Sequence, residues 1–180
     1  QIDIIWFDFS YDDMRGEKWG ATKLINMVRS LQPQVIIDNR LEASGEGRGS
    51  LYECDPTPYH GDFVSPEQII PPEGICDKEG KPMVWEACFT MNNNWGCAND
   101  HYYKPASMLI KKLVECVSKG GNMILNVGPD AKGKFPKESS AILAEIGRWM
   151  DKNHDSIYGC VPAENIPKPD YGRITRNGNK

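Results

Sequence analysis

The chain predicts an α/β domain of parallel strands with outer helices, because short, strongly apolar, β-branched runs alternate along it with amphipathic helical stretches. Right-handed crossovers curl such an alternation toward a barrel. Length sets the scale: 180 residues fall short of the about 250 that a complete (β/α)8 barrel takes. Four strands would make half of one.

The strands are expected at residues 2–9, 35–40, 83–88 and 123–127, each as apolar as strands buried on both faces are. Helical spacing of three and four joins Leu24, Met27, Val28 and Leu31, then Leu109, Leu113, Cys116 and Val117, then Ile142, Ile146, Trp149 and Met150. Pro33 closes the first helix, Gly120-Gly121 the second, and Pro136 stands just before the third. The order is therefore β-α-β-long loop-β-α-β-α. The long loop, residues 41–81, is glycine-rich at its start and far exceeds an ordinary connection. In barrels, long loops at the carboxyl ends of strands build the site.

The expected division is 1–158 for the barrel portion and 159–180 for a proline-bearing linker (Pro162, Pro167, Pro169) followed by the first strand of another domain at 171–175. The opening Gln1-Ile2-Asp3-Ile4-Ile5-Trp6 has no initiator Met and already reads as a buried strand, so truncation at both ends is expected. Half a barrel would leave an unpaired strand at each edge, which predicts aggregation or pairing with a second copy.

Composition excludes several classes. With 21 basic against 25 acidic residues and net charge −4, the chain lacks the cationic footprint that nucleic acid or anionic lipid selects. No run approaches the about 18 apolar residues of a membrane helix. Six cysteines (Cys54, Cys76, Cys88, Cys97, Cys116, Cys160) form no C-x-x-C pair and have no histidine at zinc-ligand spacing. No metal site is expected; the even count permits disulfides in an oxidising compartment, while Cys116 in a helix pattern and Cys88 at a strand end read as buried free thiols.

The chemistry sought at strand ends is a pair of carboxyl groups, because cleavage of a glycosidic bond needs one to attack or activate water and one to protonate the leaving oxygen. Alternation along the first strand puts Ile2, Ile4, Trp6 and Asp8 on one face, so an acid follows a Trp at the end of an apolar row. A turn-capping role for Asp8 competes with a catalytic one. Arg40 ends the second strand, where its guanidinium would serve a carboxylate or sugar hydroxyls, or a salt bridge at the barrel rim. For the second carboxylate, Glu86 and Glu67 compete. Pro66 stiffens the approach to Glu67, and Phe63, Ile69 and Ile70 offer the apolar walls that a loop-borne proton donor needs.

Five blocks carry a resemblance: Ile4-Ile5-Trp6-Phe7-Asp8-Phe9, Asp38-Asn39-Arg40, the run from Gly61 to Gln68 (Gly-Asp-Phe-Val-Ser-Pro-Glu-Gln), the run from Trp85 to Gly96, and the run from Gly120 to Pro129. In this order and at these intervals they resemble family 29 glycoside hydrolases, the α-L-fucosidases. The resemblance implies that the chain is the C-terminal half of the catalytic (β/α)8 barrel and that its parent hydrolyses α-L-fucosyl linkages in glycans with retention. Asp8 falls on the family nucleophile and Glu67 on the acid/base. Trp6, Phe9, Arg40 and Trp95 fall on positions lining the fucose pocket, and Glu86 on a motif acid that would hold Arg40 or a neighbouring loop.

The resemblance further implies a fucosylated glycan as partner, no cofactor, and a secreted, periplasmic or lysosomal setting. Two departures stand out: Cys97 follows Trp95-Gly96 where the family commonly has an aromatic residue, and the family's paired histidines have no counterpart in the isolated His60, His101 and His154. A non-catalytic carbohydrate-binding or scaffold fragment, and a hydrolase for another sugar, are the competing readings. Retention of both Asp8 and Glu67 favours the enzyme.

Overall fold

A computed structural model describes residues 1–8, 16–42 and 59–178. The chain divides into two compact units, 1–87 and 88–180.

In the first unit, β1 (Ile4–Ile5) pairs in parallel with β2 (Ile36–Ile37), Ile4 opposite Ile36 and Ile5 opposite Ile37. Helix α1 (Ala21–Leu31) makes the crossover between them. Ala21, Ile25, Val35, Ile37 and Leu41 form the buried core of this layer, with Ile5, Phe7, Leu24, Val28 and Tyr59 packed around it. Two residues expected on the helix's apolar face lie outside it: Met27 is 52% and Leu31 74% exposed. Ala21 and Ile25 take their place, which rotates the buried stripe and leaves Met27 and Leu31 on its flank. Gly20, in the left-handed region at φ 64, turns the chain into α1.

The parallel arrangement continues inside the segment expected to be loop. Asp38 bridges Phe63 in parallel, and Val64 bridges Trp85 in parallel. Val64 N–H donates to the Val84 carbonyl and Glu86 N–H to the Val64 carbonyl. Phe63–Val64 is thus one more strand-like step between β2 and the start of β3 (Glu86–Thr90). Two apolar residues between Gly61 and Pro66 are too few to show a period of two. Gly61 is required where it stands: a Cβ there would meet the Asp38 carbonyl oxygen at 2.2 Å.

In the second unit, the last residues of β3 belong to a two-stranded sheet with β4 (Asn122–Asn126). Helix α2 (Ala106–Ser118) buries Leu109, Cys116 and Val117 of its expected face and half-buries Leu113, and α3 (Lys137–Asn153) half-buries Ile142, Ile146, Trp149 and Met150. Gly120, at φ 79, ends α2 in a Schellman turn, with Gly121 N–H donating to Cys116 and Gly120 N–H to Val117. Beyond Tyr158, β5 (Val161–Pro162) and β6 (Thr175–Arg176) form an antiparallel pair. The strand expected at 171–175 is therefore confined to Thr175–Arg176, and the stretch read as linker supplies its partner. Two paired residues carry too little alternation to stand out among prolines. Cys88 and Cys116 are buried free thiols, and burial pushes the Cys116 thiol up to about 12. Cys54 lies outside the described residues.

Candidate active site

The site in the first unit is assembled by three consecutive side chains at the carboxyl end of β2. Asp38 Oδ1 accepts the Phe7 backbone N–H at 3.0 Å, which fixes the end of β1 one residue before Asp8. Asn39 Oδ1 accepts the Ser65 N–H at 3.0 Å. Arg40 donates from Nε to the Ser65 carbonyl at 3.1 Å and from one terminal nitrogen to Glu67 Oε2, also at 3.1 Å. All three are at most 2% exposed. A Ser65 clamped on both faces of its peptide leaves Glu67 little freedom. Glu67, expected to be loop-borne, stands three residues past Val64, just beyond the strand-like step.

The Arg40 nitrogen that meets Glu67 also lies 3.5 Å from Asp8 Oδ1. Asp8 Oδ1 and Glu67 Oε2 are therefore no farther apart than those two distances laid end to end. The Asp8 side chain is 63% exposed and that of Glu67 25%, against 2% for the arginine between them. Directly after Glu67, Gln68 takes a left-handed backbone (φ 60), uncommon for a residue with a side chain and a mark of strain beside a functional group.

Trp6 stacks on the guanidinium of Arg40, the arginine carbon 4.5 Å from the ring centre. The stacking orients the fork and adds about 0.5–2 kcal/mol of cation–π attraction. The Trp6 indole N–H lies against the Glu86 carboxylate and partly offsets the upward push that burial gives that acid, as does Arg40. Neither the indole nitrogen nor Glu86 Oε1 reaches a well-formed hydrogen bond. Glu86 thus sits behind Trp6 and Arg40. Burial raises Asp38 further, from 3.8 to about 7, against the pull of the Phe7 N–H and of Arg40.

Strand ends made Asp8, Arg40 and Glu86 legible and the loop motif made Glu67 so, and the structure brings these four together with Trp6. Sequence reasoning assigned no role to Asp38 or Asn39. The available signal was two polar residues directly after an apolar β-branched run, where a buried strand would otherwise continue. His60 Nδ1 lies 2.8 Å from the buried Glu42, which raises the histidine's pKa. Phe9 lies outside the described residues.

Trp95 belongs to the second unit. Its carbonyl accepts the Asn126 side-chain amide. Asp100 ties the loop together, accepting from the Asn93 and Tyr102 N–H groups at 2.9 Å each and from the Asn94 amide at 3.1 Å, and these bonds lower its pKa. Gly128 lets the Gly96 carbonyl pass, since a Cβ there would meet that oxygen at 2.3 Å. The indole is 41% exposed.

The class these features define is an α/β protein with paired carboxylates at the carboxyl ends of parallel strands. Residues 1–155 match the family model described as alpha-L-fucosidase, and the chain belongs to that family. An alpha-L-fucosidase of Dictyostelium discoideum is 43% identical over 169 residues, a match covering 89% of this chain and 32% of the relative. Among solved structures, alpha-L-fucosidase isoenzyme 1 from Paenibacillus thiaminolyticus superposes with a TM-score of 0.88 at 53% identity, over 99% of this chain and 41% of that one. A GH29 alpha-L-fucosidase from Bacteroides thetaiotaomicron, solved as a covalent intermediate trapped with 2-fluoro-fucosyl fluoride in a glutamate-to-glutamine mutant, gives 0.78 at 32% identity over 98% and 41%. The chain spans about a third of the length of the curated relatives it matches.

Proposed function

We propose that this chain supplies the catalytic pair of a retaining α-L-fucosidase, with Asp8 as nucleophile and Glu67 as acid/base. The observation that carries the reading is the shared guanidinium: one buried Arg40 nitrogen reaches both carboxylates. Retention needs the two groups about 5–5.5 Å apart, and inversion about 6.5–9.5 Å. The limit that Arg40 sets on the two oxygens it joins accommodates the retaining range.

In the reaction so assigned, an Asp8 oxygen attacks the anomeric carbon as the glycosidic bond breaks, and Glu67 gives its proton to the departing oxygen. The covalent fucosyl-Asp8 ester is then cleaved by water whose proton returns to Glu67, releasing fucose and restoring both carboxyls. The greater exposure of Asp8 suits a nucleophile facing solvent and substrate. Trp6 and Arg40 form one wall of the sugar site, and the family resemblance alone assigns sugar contacts to Phe9 and Trp95. Glu86 supports Trp6 and Arg40 from behind.

The same reading treats the parallel run β1, β2, Phe63–Val64 and β3 as consecutive members of a (β/α)8 barrel. Ile2, Ile4 and Ile36 are 45–53% exposed here, as residues destined to pack against further strands would be. The test is hydrolysis of an aryl α-L-fucoside by a polypeptide of the relatives' length that carries this chain. Turnover abolished by Asp8→Ala supports the assignment. A folded polypeptide without turnover, or an Asp8→Ala rate equal to the parent's, contradicts it.

A further inference from the structure

Four carboxyl groups surround the single guanidinium of Arg40. Asp8 and Glu67 touch it, while Asp38 and Glu86 feel its charge from the buried side. One cation does not neutralise four carboxylates, and the groups farthest from water are the ones that give up charge. Asp38 is the most enclosed. It is 1% exposed; Oδ1 holds the Phe7 N–H, the Arg40 backbone N–H lies nearby, and the other oxygen, Oδ2, is buried without a well-formed hydrogen bond. A carboxylate leaves such an oxygen unsatisfied at a cost of a buried charge, whereas a carboxylic acid leaves only a weak neutral dipole.

Among the described residues, two acids near the end of β2 have partners of their own. Asp62, beside β2, accepts from the Ile37 N–H and from Arg29, and Glu42 pairs with His60. Among the described residues, Asp8 is the negative neighbour whose charge opposes ionisation of Asp38.

We propose that Asp38 is a positioning residue that works as the neutral acid, leaving Arg40 to Asp8 and Glu67, and that its ionisation draws Arg40 away and closes the alkaline side of the activity profile. The inference rests on the assignment of Asp8 and Glu67 above. Asp38 touches no reacting atom, and it acts through Arg40 and through the Phe7 N–H that sets the position of Asp8. Burial that lifts its pKa to about 7 puts the transition near neutrality.

The test is the pH profile of kcat/KM on an aryl α-L-fucoside, measured in the polypeptide of the relatives' length. Asp38→Asn keeps the shape and the acceptor for Phe7 and fixes the neutral state. It should retain activity below neutrality and move the alkaline limb upward by about one pH unit or more, while Glu86→Gln leaves the limb in place. An unmoved limb in folded, active Asp38→Asn overturns the proposal, as does loss of its activity at every pH. Should Asp38→Asn not fold, fucose affinity in Glu67→Gln decides: it should still weaken through one ionisation near neutrality, and a flat profile overturns the proposal. Failure of the underlying assignment looks different, because the unmodified polypeptide would then show no Asp8-dependent turnover.

Discussion

Two ion clusters, one in each unit, are built with opposite ratios. In the first, one buried cation, Arg40, serves several acids, two of them buried enough that their pKa values rise. In the second, one acid, Glu115, serves two cations, Lys119 at 2.7 Å and Arg173 at 2.9 Å, and its pKa falls. The Arg40 side chain is 2% exposed and that of Glu115 35%. An excess of acids around a buried cation leaves protons to be held and moved, which is what acid/base chemistry uses. An excess of cations around a half-exposed acid satisfies the acid and does nothing more. It fastens the end of α2 to the segment before β6.

The comparison breaks most sharply at Arg40. Arg40→Met leaves Asp8 and Glu67 facing each other without a shared cation. Breaking a buried ion pair costs about 3–5 kcal/mol, so kcat/KM should fall by roughly 10²–10⁴-fold where that loss is felt in the transition state. Steady-state kinetics on an aryl α-L-fucoside read it, and a loss below tenfold would mean that Arg40 is only a rim contact.

Next comes the pH dependence of stability. Asp38 binds its proton more tightly folded than unfolded, so folding is most favoured below its ordinary value of 3.8 and weakens as pH rises toward about 7. Raised values for Glu86 and His60 act in the same direction, each contribution fading as pH climbs through the folded value. Glu115 opposes them, contributing above its ordinary value and losing that contribution as pH falls. Chemical denaturation across this window should show Asp38→Asn gaining on the parent as pH rises, on the order of a few kcal/mol by neutrality.

Asn39→Ala should cost about 1–3 kcal/mol by leaving the Ser65 N–H buried and unpaired. It should lower kcat more than it raises KM, because it frees Glu67 rather than the sugar pocket. Smallest is Glu115→Gln: at its exposure, screening leaves about 0.5 kcal/mol or less, and turnover should not change.

What the sequence disclosed follows the same physical divide. Asp8, Arg40 and Glu86 were legible because each ends an apolar β-branched run, where a charged side chain needs a reason. Helices α2 and α3 were legible from spacing and from their glycine and proline punctuation. Phe63–Val64 was not, since a strand of two residues is defined by its hydrogen bonds to neighbours and has no period of its own. The buried state of Asp38 escaped for a related reason: alternation tells which face a residue takes, while only packing tells that one oxygen has a well-formed hydrogen bond and the other does not. The hairpin of β5 and β6 was hidden by prolines that read equally well as linker.

The central claim is that Asp8 attacks and Glu67 moves the proton. The direct measurement is to treat the Glu67→Gln polypeptide, at the relatives' length, with 2-fluoro-fucosyl fluoride and map the modified residue by peptide mass spectrometry. The account predicts one fluorofucosyl group, carried on Asp8. A label on Glu86 or another residue, or no label in a folded protein whose parent turns over the aryl fucoside, would contradict it.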